Sequence, residues 1–150
     1  MHCLGIDYGE KRIGLAYGDD LGVATPVPAA TQEQFEDRMQ AIATMIRERR
    51  ISDLVVGYPY NMDGSIGFKA KEVDVFIDVL EKRFELPVHR VDERLTSSQV
   101  TKDLGLTSRR ERELRKSGVV DSGAATLILQ DYLDMKVPRL DDLDPYFEEE

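Results

Sequence analysis

The sequence predicts an α/β domain built on a mixed sheet, and two features carry that prediction. Two extended runs, 2–8 and 12–18, precede any helical pattern and are separated only by Gly9-Glu10-Lys11, a hairpin signature. After them helical and extended segments alternate, the order that builds parallel strands with helices on the faces. A doubly wound fold that opens strand–helix fits worse, because two strands come before the first helix. At 150 residues the chain supports one core. We expect the domain over 1–140 and an acidic C-terminal tail over 141–150.

The elements follow in order. HCLGIDY (2–8) and RIGLAYG (12–18) form the hairpin. GVATPVP (22–28) carries two prolines, which suits an edge strand. Over 31–50 the residues Phe35, Met39, Ile42 and Ile46 recur at helical spacing, with Thr31 a plausible N-cap. DLVVG (53–57) is a short buried strand stopped by Pro59, and 61–65 is a turn-rich loop. A second helix spans 68–84, with Val73, Phe76, Ile77 and Leu80 on one face. PVHRVD (87–92) is a further strand, and a helix is expected around 97–104. The charged stretch 105–118 has little apolar periodicity and reads as a mobile loop or frayed helix. The last helix begins near Asp121 and runs through Ala125, Ile128, Leu129 and Tyr132 to about Met135.

Composition narrows the function classes. Hydrophobic content of 41% with 33% charged residues fits a soluble globular chain. No apolar run approaches the roughly 18 residues of a spanning helix, and the first residues lack a secretory core. A single cysteine, Cys3, excludes an intrachain disulfide framework and a cysteine-based zinc site. A cytoplasmic location is the expectation. The net charge of −9 argues against a generic polyanion binder. Its distribution softens that argument. Six of the 29 acids fall in 141–150, leaving residues 1–140 at −3 from all 20 bases against 23 acids. The run RRERELRK (109–116) holds five bases and two acids, enough to hold a phosphate backbone locally. The tail reads as a solvated extension, or as a polyanion mimic that competes for that run.

Three acids stand where chemistry could occur. Asp7 lies in a strand between apolar neighbours, a place for a charge only if it is paired or metal-bound. Glu93 follows the 87–92 strand; side chains alternate along a strand, so Asp92 and Glu93 cannot serve one site. Asp121 opens the last helix, where Ala124 and Ala125 allow close approach to a sheet. Each has a plain structural alternative: a turn cap for Asp7, an ion pair with Arg94 for Glu93, an N-cap for Asp121. Converging, the three would repel unless a cation neutralised them. Mg²⁺ or Mn²⁺ suits such an all-oxygen site.

GIDYGEKRIGLA (5–16), VVGYPYNMDGS (55–65), VDERLTS (91–97) and VDSGAATLILQDYL (120–133) resemble the YqgF/RuvX family. The four motifs occur in order across almost all of 3–134. That family is described as Holliday-junction resolvases and as nucleases maturing the 5′ end of 16S ribosomal RNA. The resemblance implies a ribonuclease H-like fold, a mixed five-stranded sheet flanked by helices. It also implies a metal-binding acidic triad, which falls here on Asp7, Glu93 and Asp121. The chain departs from the family pattern in Gly18 before Asp19, in Thr96-Ser97 for a double threonine, and in its long acidic tail.

Phosphodiester hydrolysis with two ions would follow, Asp7 bridging both and Glu93 and Asp121 each completing one shell. Lys11, Arg12, Arg94, Arg115 and Lys116 are candidates for phosphate contacts. Thr96 could donate to phosphate or cap a helix. His2, His89 and Cys3 read as structural. The expected partner is nucleic acid: precursor ribosomal RNA, free or within the small-subunit precursor, or else branched DNA; no membrane is expected. Two rivals come from other classes. A non-catalytic assembly module would have no use for three separated acids. An actin-like or sugar kinase needs two such domains around its nucleotide, and this length supplies one.

Overall fold

The computed structural model describes residues 1–61, 63–93 and 122–136. Five strands, β1 (His2–Tyr8), β2 (Ile13–Asp19), β3 (Thr25–Ala30), β4 (Asp53–Tyr58) and β5 (Val88–Asp92), form one sheet in the order β3-β2-β1-β4-β5. β1–β2 and β2–β3 are antiparallel, while β1–β4 and β4–β5 are parallel. The helices are α1 (Phe35–Glu48), α2 (Phe68–Phe84) and α3 (Gly123–Lys136). The expected mixed five-stranded sheet is therefore present, with the proline-bearing strand at its edge.

The period of two along β1 sorts its side chains onto two faces. Leu4 and Ile6 join Ile13, Leu15, Val27, Leu54 and Val56 beneath α1 and α2, where Met39, Ile42, Phe76, Ile77 and Leu80 complete a large core. Cys3 faces the other way with Ala16, Val55 and Val91, against Ala125, Ile128, Leu129 and Leu133 of α3. Small residues on that second face draw α3 close. A Cβ on Gly5 would lie 2.6 Å from Leu129 Cβ and 3.0 Å from the Ala125 carbonyl oxygen.

Several boundaries differ from expectation. The first helix starts at Phe35 with Gln34 as its N-cap, so Thr31 does not cap it. The buried Arg38 explains the delay. Its Nη1 donates to the Gln32 and Glu33 carbonyls (2.6 and 3.0 Å), holding that stretch outside the helix. The third strand begins at Thr25 because Gly22 turns at φ 81° and Gln130 of α3 clamps the turn. The Gln130 side chain accepts from Ala24 N–H (2.9 Å) and donates to the Gly22 carbonyl (2.9 Å). A bulge separates β2 from β3: Ile13 registers with Ala30 but Leu15 with Val27, three steps against two. The buried Ser122 fills it, its Oγ accepting from Leu15 N–H (3.2 Å) and donating to the Val27 carbonyl (2.5 Å). The expected helix at 97–104, the loop at 105–118 and the tail at 141–150 lie outside the described residues. Among the described residues no helix is long and apolar enough to cross a membrane.

Candidate active site

Because β1, β4 and β5 run parallel, their carboxyl ends meet at one edge of the sheet. Asp7 is the penultimate residue of β1 and faces the α3 side, opposite Gly14 of β2. The last β1–β4 register pair is Ile6 with Val56, so Asp7 comes level with Gly57. Glu93, one residue beyond β5, reaches back over Gly57. A Cβ on Gly57 would lie 2.6 Å from Glu93 Oε1, 3.1 Å from its Cγ and 2.5 Å from Ile128 Cδ1. The missing side chain of Gly57 is thus the space that the Glu93 carboxylate occupies. Asp92 registers with Tyr58, on the opposite face, as alternation requires.

Asp7 and Glu93 line a common cleft of about 250 Å³, together with Tyr8, Gly9, Glu10, Gly57, Pro59, Lys69, Glu72 and Val73. Both acids are half-buried. The far wall comes from the first turns of α2, placed there by Val73, Phe76 and Ile77 in the core. Tyr8 stacks on Phe76 with ring centroids 4.5 Å apart. Burial first, then the charges of Glu72 and Glu10, push its phenol above the ordinary tyrosine range. Tyr8 therefore presents a neutral hydroxyl at neutral pH.

The predicted site residues do not all meet here. Lys11 and Arg12 are exposed on the β1–β2 turn next to Glu10 and are not among the lining residues. The turn is anchored from behind, where Arg38 Nη2 donates to the Glu10 carbonyl (3.3 Å). Asp121, Arg94, Thr96, Arg115 and Lys116 lie outside the described residues. Among the described residues no three metal-capable side chains form a group. His2 Nδ1 lies 2.8 Å from the Tyr17 hydroxyl, and His89 Nε2 donates to Asp53 Oδ1 (3.0 Å); neither histidine lines the cleft. Burial pushes the Asp53 carboxyl up, but hydrogen bonds from His89 and Ser52 outweigh it and hold the group below its ordinary value. Cys3 is buried, and burial pushes its thiol up to about 11.

Sequence reasoning missed four residues. Glu10, Lys69 and Glu72 join the cleft only through tertiary packing and carry no local signal. Arg38 did leave one, standing three residues after Phe35 and one before Met39 on an apolar stripe.

Residues 1–135 match the family described as "RuvX: Holliday junction resolvase". A protein of Opitutus terrae named "Putative pre-16S rRNA nuclease" is 52% identical over 139 residues, covering 92% of this chain and 94% of its own. One of the same name from Trichormus variabilis is 42% identical over 137 residues, covering 91% and 89%. Among solved structures, the Fowlpox virus resolvase in complex with substrate Holliday junction DNA aligns with a TM-score of 0.53 at 14% identity, covering 91% of this chain and 99% of that one. That likeness concerns the fold, which is ribonuclease H-like.

Proposed function

This chain belongs to the RuvX family, and we propose that it is a metal-dependent nuclease acting in the 5′-end maturation of precursor 16S ribosomal RNA. One observation carries the proposal: two strands distant in sequence deliver Asp7 and Glu93 to one face of one cleft, and Gly57 leaves room for the second carboxylate. Two carboxylates held together repel, and a hard divalent cation relieves that cost. The donor set is all oxygen and opens onto solvent through the cleft, so it fits Mg²⁺ or Mn²⁺. Asp7 and Glu93 would hold the metal, with Asp121 as the third ligand and Asp7 shared if two ions bind.

Such ions, when bound, activate water and stabilise a leaving oxygen. The chain's own residues do the rest. The backbone of Asp7 pairs with Gly14 of β2, one step past the last β1–β4 pair, so the strand that carries it is already in place. Tyr8 offers a neutral hydroxyl and Lys69 a cation to the substrate backbone. Lys11 and Arg12 flank the same edge from the hairpin turn, and Arg94, Thr96, Arg115 and Lys116 remain proposed phosphate contacts. Ser122, anchored in the β2–β3 bulge, fixes the start of α3 against the sheet. A cytoplasmic place follows from that substrate.

The test is Mn²⁺-dependent cleavage by the wild type and by Asp7→Asn, on an RNA carrying the 16S 5′ leader and on a four-way DNA junction. We expect the RNA to be cut and the variant to lose at least about 10³-fold in rate. Its thermal unfolding should stay near that of the wild type. A folded Asp7→Asn protein with full activity would sink the assignment. Junction resolution is the second reading, favoured by the description of the matching family. Symmetric cleavage of the junction with the RNA untouched would select it.

A further inference from the structure

We propose that the start of α2 is a platform for an unpaired nucleobase, with Phe68 stacking the base and Lys69 and Lys71 holding the adjoining backbone. The inference rests on the nuclease reading and names the part of the substrate that this site selects: single-stranded RNA. Phe68 opens α2 with 78% of its surface exposed, and Ile66 just before it is 53% exposed. Burying a phenylalanine stabilises a fold, yet the core takes Val73, Phe76, Ile77 and Leu80 from this helix and leaves Phe68 outside.

Its position ties it to the chemistry. Lys69, the next residue, lines the cleft that holds Asp7 and Glu93. Successive helix positions diverge by roughly 100°, so Lys69 looks into the cleft while Phe68 stands at its rim. The cleft contains four carboxylates, Asp7, Glu10, Glu72 and Glu93, and Lys69 is the one base among its lining residues. A phosphate next to the reacting one therefore finds its cation at Lys69. Lys71 is exposed, and the first turn of α2 contains no acid. The approach to Phe68 is held in place: Asn61 Nδ2 donates to Ser65 Oγ (3.0 Å), Asn61 N–H to the Ser65 carbonyl (2.9 Å), and Ser65 N–H to Asp63 Oδ1 (2.9 Å).

An aromatic ring beside a cationic track is the arrangement that binds single strands, since any base offers a π-face once unstacked. A duplex keeps its bases stacked on each other and has none to give. Phe68 would thus favour an unpaired leader over a helix without reading sequence.

The chain has no tryptophan, so Phe68→Trp installs a single reporter. It is made in the Asp7→Asn background, where bound RNA persists, and titrated in Mg²⁺ with a short unstructured oligoribonucleotide and with the same strand annealed to its complement. Saturable quenching by the single strand, and much less by the duplex, is expected. Phe68→Ala in the same background should weaken single-strand binding, read by anisotropy of the labelled RNA, about 5- to 150-fold. Emission unchanged while the oligonucleotide is demonstrably bound would overturn the platform, as would equal quenching by duplex. Val75, one heptad along the same face and 68% exposed, then makes a protein partner the better occupant. In those cases cleavage by the wild type leaves the nuclease reading standing. Failure of every form to bind or cut RNA removes both.

Discussion

Gly57 is the residue on which the site geometry turns. Its backbone is ordinary strand; what matters is that a methyl group there would meet both Glu93 Oε1 and Ile128 Cδ1 inside 3 Å. Gly57→Ala should therefore push Glu93 out of the cleft and strain the contact with α3. We expect a loss of cleavage of at least about 10-fold, with destabilisation of about 1–3 kcal/mol. Rate assays beside denaturant unfolding separate the two effects, because the stability loss alone leaves the protein folded. Asp7 and Glu93 were legible as residues: an acid among apolar neighbours and an acid just past a strand end are local signals. The glycine that lets them coexist was not, since its role depends on which side chain returns over it.

Elements were read best where a single face decides them. Val73, Phe76, Ile77 and Leu80 fix α2 over the predicted span of 68–84. Boundaries set by tertiary bonds escaped. Arg38 delays α1 by binding carbonyls upstream, and Gln130, more than a hundred residues away, shapes the turn before β3. Ser122 is the third such case. Its hydroxyl bridges Leu15 and Val27 at the bulge, tying the start of α3 to two strands. Ser122→Ala removes both bonds at a buried site and should cost about 1–3 kcal/mol. That is a fall in Tm of roughly 2–12 °C. Cleavage should drop further than stability, since Ser122 directly follows the proposed ligand Asp121 in sequence. Unchanged activity in a variant with lowered Tm would separate Ser122 from the site.

For the molecule as a whole the question is how a chain of net charge −9 handles a polyanion. Under the proposed function the answer is local: Asp7 and Glu93 share one cleft, where divalent cations would neutralise them, and Lys69 lines the same cleft. The tail at 141–150 carries six acids, and its deletion should tighten RNA binding at low salt if it competes for the basic run 109–116. The gain should fade as salt rises toward 0.2 M, where the Debye length drops below about 8 Å. Equal affinity with and without the tail at low salt would make it a solvated extension. The central claim is that Asp7 and Glu93 are one catalytic unit. Its most direct test is the Mn²⁺-dependent cleavage rate of Asp7→Asn, Glu93→Gln and the double variant on the leader RNA. Groups that act together are grossly non-additive, so each single variant should fall nearly as far as the double. Two independent losses that multiply in the double variant, or a Glu93→Gln protein that cuts at the wild-type rate, would contradict it.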